Sequence, residues 1–332
     1  MFRFASASFA WSKIENLGVL KPIGWNKLLI HLFFYMNAQL KSVLYVAIGA
    51  TSYGVLATFV KYANNQGIGT AALAFSQYFV GVIVLSVLVF LFSKKSTTPQ
   101  AETKSIHPKI KLMLFGGFSG LTSSFYYLSI QYVPVSVGII LLMQTIWMGV
   151  VLEFFTARAM VNRGKIIGAF VAIVGTMLAA KIFETDIELN LKGIGFGLLA
   201  AMSFTGMMYG TSRVGLQFPN LVRSQYLVYG GFIVIVLFWN AQILHEFNWT
   251  ILITWGVFLG CFGTILPPIL FNKGFPIIGT GLGSIIAALE IPISVLSAYW
   301  VLNEEISNLQ WLGIVIILFA VVMINFRKKT SR

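Results

Sequence analysis

Ten apolar stretches, each 18 to 24 residues long, follow one another along most of this chain. They occupy 42–62, 70–92, 112–131, 136–155, 166–183, 191–213, 225–244, 251–272, 279–302 and 309–326. About 20 helical residues cross a bilayer core, so each stretch is long enough to span one. Barrel strands are excluded, because they need only about 9–11 residues and alternate in polarity. Of the 332 residues only 10% are charged and 58% are hydrophobic, where a soluble domain carries about 25% charged residues. Too little polar surface exists to cover such a chain, and lipid must be its solvent. The expected fold class is an all-α polytopic membrane protein with ten transmembrane helices.

The formal charge of +13 would suit a nucleic-acid partner if it were clustered, but its placement assigns it to topology. With a cytoplasmic N-terminus, the inner segments hold 20 of the 23 basic residues. Only Lys61, Lys181 and Lys192 fall outside, beside the acidic loop of Glu184, Asp186 and Glu188. That asymmetry follows the positive-inside rule and predicts both termini in the cytoplasm, with no nucleic-acid partner. Residues 1–41 form a basic tail without a spanning run, either an interfacial segment or an over-extended start before Met36. Residues 327–332 form a second basic tail. Cys261, alone in its chain, has no intramolecular disulfide partner.

The chain repeats itself at coarse grain, with 42–183 answered by 191–326. In the first half, Pro134 leads into a stretch with Gln144 at its centre, and Lys165-Ile-Ile-Gly168 opens the next. In the second half, Pro276 leads into a stretch with Glu290 at its centre, and Gln310-Trp-Leu-Gly313 opens the last. From central polar residue to glycine is 24 positions in one half and 23 in the other. Five spans per repeat is an odd number, so the second copy enters the membrane inverted. Inverted repeats of this kind are a transporter architecture, with substrate near the midplane where the repeats meet.

The segment Ala288 to Ile324 resembles the end of an EamA domain, from the drug/metabolite transporter superfamily. The resemblance lies in Glu290-x-Pro292, the acidic turn Glu304-Glu305, Gln310-x-x-Gly313 and an apolar final helix. The first repeat is a weaker copy, with Gln144, Arg158 and Lys165 at the matching places. The resemblance implies ten helices in two EamA domains and movement of small metabolites, often export of amino acids. It also leaves room for a drug or nucleotide-sugar-like solute.

A carboxylate in the middle of a span, such as Glu290, needs a partner, a cavity or a proton. It shares a helical stripe with Gly283, Ala287, Ser294 and Ser297. Two roles fit it: a cavity-facing group that binds an amine or carries a coupling proton, or a polar pin between packed helices. Gln144 and Trp147 lie on another stripe and could contact a planar ligand or serve packing. Ser123, Tyr126 and Tyr127 in the third stretch suggest a cavity wall, and Gln77 and Asn272 are further polar candidates. Pro267-Pro268 should kink or unwind the eighth stretch. The Gly193/Gly197 and Gly206/Gly210 spacings suit a contact inside the fold or a homodimer face.

An enzyme is disfavoured by what the stretches lack. His31, His107 and His245 all lie outside them, and Asp186, in a loop, is the sole aspartate, so neither a metal cluster nor a paired-aspartate site can be assembled within the membrane. No nucleotide motif appears either. The expectation is a transporter without cofactor, monomeric or homodimeric in the cytoplasmic membrane, with a channel or scaffold as the competing classes.

Overall fold

Without water, backbone N–H and C=O groups must be satisfied within the segment, which makes helices the solution for a chain this apolar. The computed structural model describes residues 37–92, 107–133, 135–157, 163–179, 190–303 and 306–326, and their regular structure is entirely helical. Residues 1–36 of the N-terminal tail, the C-terminal tail 327–332, Pro134, Arg158, the acidic loop at 184–188 and the Glu304-Glu305 turn lie outside the described residues. Residues 42–332 cluster as one unit; of the separate unit 1–41 only 37–41 are described.

Eight helices come first: α1 (Ala38–Asn65), α2 (Thr70–Phe92), α3 (Pro108–Tyr132), α4 (Val135–Leu142), α5 (Thr145–Ala157), α6 (Arg163–Ala179), α7 (Leu191–Arg213) and α8 (Asn220–Glu246). Then come α9 (Trp249–Ile251), a π-helical turn at Leu252–Gly256, α10 (Val257–Leu259) and a second π-helical turn at Gly260–Ile265. Last are α11 (Leu266–Ala287), α12 (Glu290–Leu302) and α13 (Asn308–Phe326). Asn248 caps the start of α9, its side chain accepting from the Thr250 N–H at 3.0 Å.

Six helical stretches among the described residues are long and apolar enough to cross a membrane. The shortfall from ten has identifiable causes. Residues 249–302 count as one stretch of 54 residues, twice the length a crossing needs, although the backbone breaks inside it at Gly279 (φ 77, ψ 171). Helix α3 is diluted by Gly116, Gly117, Gly120 and its serines. Helix α6 has only 17 described residues, and α13 counts as a shorter apolar helix at Asn308–Met323.

Two expected spans tighten near their centres into single i→i+3 turns. Between α4 and α5 the turn lies at Met143-Gln144, the Gln144 N–H donating to the Leu141 carbonyl, and between α11 and α12 at Ala288-Leu289, the Leu289 N–H donating to the Ile286 carbonyl. The turns are 145 positions apart, as are Lys165 from Gln310 and Gly168 from Gly313. In this register Thr145, not Gln144, is the counterpart of Glu290. The proline pair at 267–268 sits immediately after the second π-turn, whose wider winding accommodates residues that cannot donate to the ladder.

Packing runs mostly across the two halves of the chain. Helix α3 lies chiefly against α7 and α8, α2 against α8, and α6 against α13. The α3–α8 approach is close enough that a Cβ on Gly116 would strike the Leu227 carbonyl, and one on Gly230 the Met113 carbonyl. Gly197 and Gly210 receive Leu141 and Phe115, so these GxxxG glycines are occupied within the fold.

Two carboxylates reach from one half to cap a helix of the other. Glu153 on α5 accepts from the Gly281 N–H at 2.9 Å, a donor that the break at Gly279 leaves free of the ladder. Lys165 on α6 neutralises it, with Nζ 2.8 Å from both carboxylate oxygens. Glu246, ending α8, accepts from the Ala71 and Ala72 N–H groups at the start of α2, at 3.0 and 3.2 Å. Negative charge at a helix N-terminus is favourable in both places.

Candidate functional site

A cavity of about 70 Å³ lies between the halves. Helix α1 supplies Tyr53 and Leu56, α2 Gln77 and Tyr78, and α3 Ser119, Thr122, Ser123, Tyr126 and Tyr127. The second half contributes Phe204, Met207 and Glu290. An adjoining cavity of about 20 Å³ shares Tyr53, Tyr78, Ser119 and Met207 and extends to Thr211, Thr264 and Phe271.

The walls are largely aromatic. Tyr53 packs between Phe204 and Phe271, with centroids 6.2 and 5.8 Å away, and Tyr126 and Tyr127 lie 6.2 Å apart. The Tyr78 hydroxyl is anchored 3.3 Å from both Ser119 Oγ and Ser123 Oγ. By contrast, the Tyr126 hydroxyl and the Gln77 side-chain carbonyl are buried without a hydrogen-bond partner.

Glu290 enters this wall at the tightened turn of its span. As the first residue of α12, it follows the turn at Ala288-Leu289. No hydrogen bond or ion pair engages its carboxylate among the described residues. Its neighbours on the sequence stripe do other work. Ser297 meets Thr58 Oγ1 at 2.7 Å, and Gly283 makes room for Phe275. The stripe is thus a packing seam with one residue turned into the cavity. At the corresponding place in the first half, Thr145 is fully buried against Thr205 Oγ1 at 2.7 Å.

Of the residues singled out from sequence, Glu290, Tyr126, Tyr127, Ser123 and Gln77 line this cavity together. Gln144, Trp147 and Asn272 do not. Trp147 Nε1 donates to Gln144 Oε1 at 2.9 Å, and the indole is 42% exposed on the outer surface of the helices. Asn272 is buried, donating to Ser224 Oγ at 2.9 Å, while its backbone carbonyl accepts from Arg223. Sequence reasoning passed over Leu56, Phe204 and Met207, whose apolar side chains carry no signal that separates cavity from lipid. It also passed over Glu153, although a carboxylate inside an apolar stretch was a signal available to it.

The comparisons agree with this architecture. A family model described as the EamA-like transporter family matches residues 40–181 and again residues 191–326. One solved crystal structure of a protein superposes with a TM-score of 0.66 at 12% identity, over 87% of this chain and 98% of the other. That likeness shows the fold. No curated protein matches the sequence.

Proposed function

We propose that this chain, which belongs to the EamA-like transporter family, is a secondary transporter moving small metabolites across the cytoplasmic membrane by alternating access. In this reading the ten helical stretches form two inverted five-helix repeats, both termini are cytoplasmic, and transport is export. Amino acids or related compounds are the class implied by the family resemblance.

The observation carrying the proposal is the aromatic cavity between the halves with an unpaired carboxylate in its wall. A carboxylate is costly at such depth unless a ligand or a proton compensates it. Both halves contribute to the wall, as rocking of one repeat against the other about a shared site requires. Coupling to a proton through Glu290 follows, the other titratable groups of the cavity being Tyr53, Tyr78, Tyr126 and Tyr127.

Counterflow in proteoliposomes tests the proposal. Saturable exchange of a pooled set of amino acids, amines, nucleosides and small drugs is the expected result. Flux without saturation would indicate a channel, and no flux a scaffold. Glu290→Gln should lower exchange by about tenfold or more, the loss of a hydrogen bond to a charged group. It should also flatten the pH dependence, and an unchanged pH profile would remove the coupling role.

A further inference from the structure

The charge balance of the cavity narrows its ligand. Among the described residues its wall holds one carboxylate, Glu290, and no Lys, Arg or His, and the adjoining cavity adds no charged side chain. The buried cations near the halves' interface are already committed. Arg223 is spent on three carbonyls, donating through Nε to Val214, through Nη1 to Asn272 and through Nη2 to Thr211. Lys165 is spent on both oxygens of Glu153. What the cavity offers a ligand is therefore a negative charge, hydroxyls and the faces of Tyr53, Tyr78, Tyr126, Tyr127 and Phe204.

We infer that the cavity takes an organic cation: an amine on an aromatic or apolar body, without a free carboxylate. An ammonium group brings only donors, which suit the unpaired Glu290 carboxylate and the unpartnered Gln77 carbonyl oxygen. Tyrosine faces attract the same charge when water is excluded. A zwitterionic amino acid would bring a second carboxylate into a space that already holds one and has no cation to receive it. The uncompensated charge would stay desolvated, which is costly. An anion would meet only repulsion. The inference rests on this cavity being the transport site, and it narrows the amino-acid expectation to amines and to amino-acid esters or amides.

Three ligands sharing one ring separate the cases: phenethylamine, free L-phenylalanine and hydrocinnamate. Binding is measured on the full chain in detergent, and exchange in proteoliposomes. Phenethylamine should bind and exchange better than free L-phenylalanine by about tenfold or more, the factor expected for one uncompensated charge. Hydrocinnamate should do neither. Glu290→Gln should abolish phenethylamine binding, and Glu290→Asp should retain part of it. Preferential binding of free L-phenylalanine or hydrocinnamate would overturn the inference, as would failure of all three to bind. Preferential exchange of the zwitterion would sink the cation site but keep the carrier. Phenethylamine binding without exchange of any solute would keep the cation site and sink the carrier.

Discussion

Glu153 and Glu290 show how differently two carboxylates fare in one bilayer. Glu153 is compensated by Lys165 and the Gly281 N–H, and its side chain is 15% exposed. Glu290 has neither kind of partner and faces a cavity. Glu153→Gln should therefore cost stability, about 2 kcal/mol for the lost charge-assisted bonds, while leaving the ligand wall intact. A thermal melt of the detergent-solubilised chain, paired with ligand binding, checks both halves of that expectation. A variant with unchanged melting and weakened binding would contradict it. Glu290 was legible from sequence because a charge at mid-span stands out. Lys165 was read as a topological charge and a repeat position but not as an ion-pair partner, since Glu153 lies 12 positions away on another helix. Neighbourhood across helices is what sequence periodicity does not encode.

Among the elements, the irregular spans distinguish this chain from a plain bundle. The proline pair at 267–268 signalled an irregular eighth stretch, and π-turns directly precede it. The tight turn at 288–289 has its own signal in Pro292, which has no N–H to donate to the Ala288 carbonyl, whereas the turn at 143–144 has no such proline. Gly279, like Asn240 inside α8 (φ 14, ψ -99), interrupts its helix, with a φ of 77° and ψ of 171° that only glycine adopts readily. A Cβ there would also come within 2.8 Å of Glu153 Oε1. Gly279→Ala should destabilise the fold by about 1–3 kcal/mol through backbone strain, and it should disturb the Glu153 cap. The melt of this variant compared with Glu153→Gln and with the double variant measures both effects. Additive losses would show that the cap and the break are independent.

At the scale of the molecule, the halves that repeat in sequence are interleaved in space. The largest helix contacts pair α3 with α7 and α8, α6 with α13, and α2 with α8. Helix α1 follows the pattern, with Tyr53 against Phe271 and Ser52 donating to the Phe262 carbonyl at 2.7 Å. The first half packs little on itself, whereas the second keeps a few internal contacts, α11 against α7 and α8 and Arg223 on the Thr211, Val214 and Asn272 carbonyls, although the sequence repeat suggests two tandem domains. A chain divided between Ala179 and Asn190 should yield two fragments that fail to fold separately and co-purify when expressed together. A first fragment that is monodisperse and melts cooperatively alone would refute this interleaving.

The interleaving also sets a timetable for biosynthesis. Helix α3 ends at Tyr132, but its largest partner, α8, ends at Glu246. At about 5–20 residues per second, a ribosome needs roughly ten seconds to bridge that gap. Throughout it, the glycine face of α3 and the uncapped start of α2 wait in or beside the bilayer without the helix that will cover them. The vulnerable species for this protein is thus the half-made chain, and substitutions at Gly116 or Glu246 should be felt first in yield at the membrane.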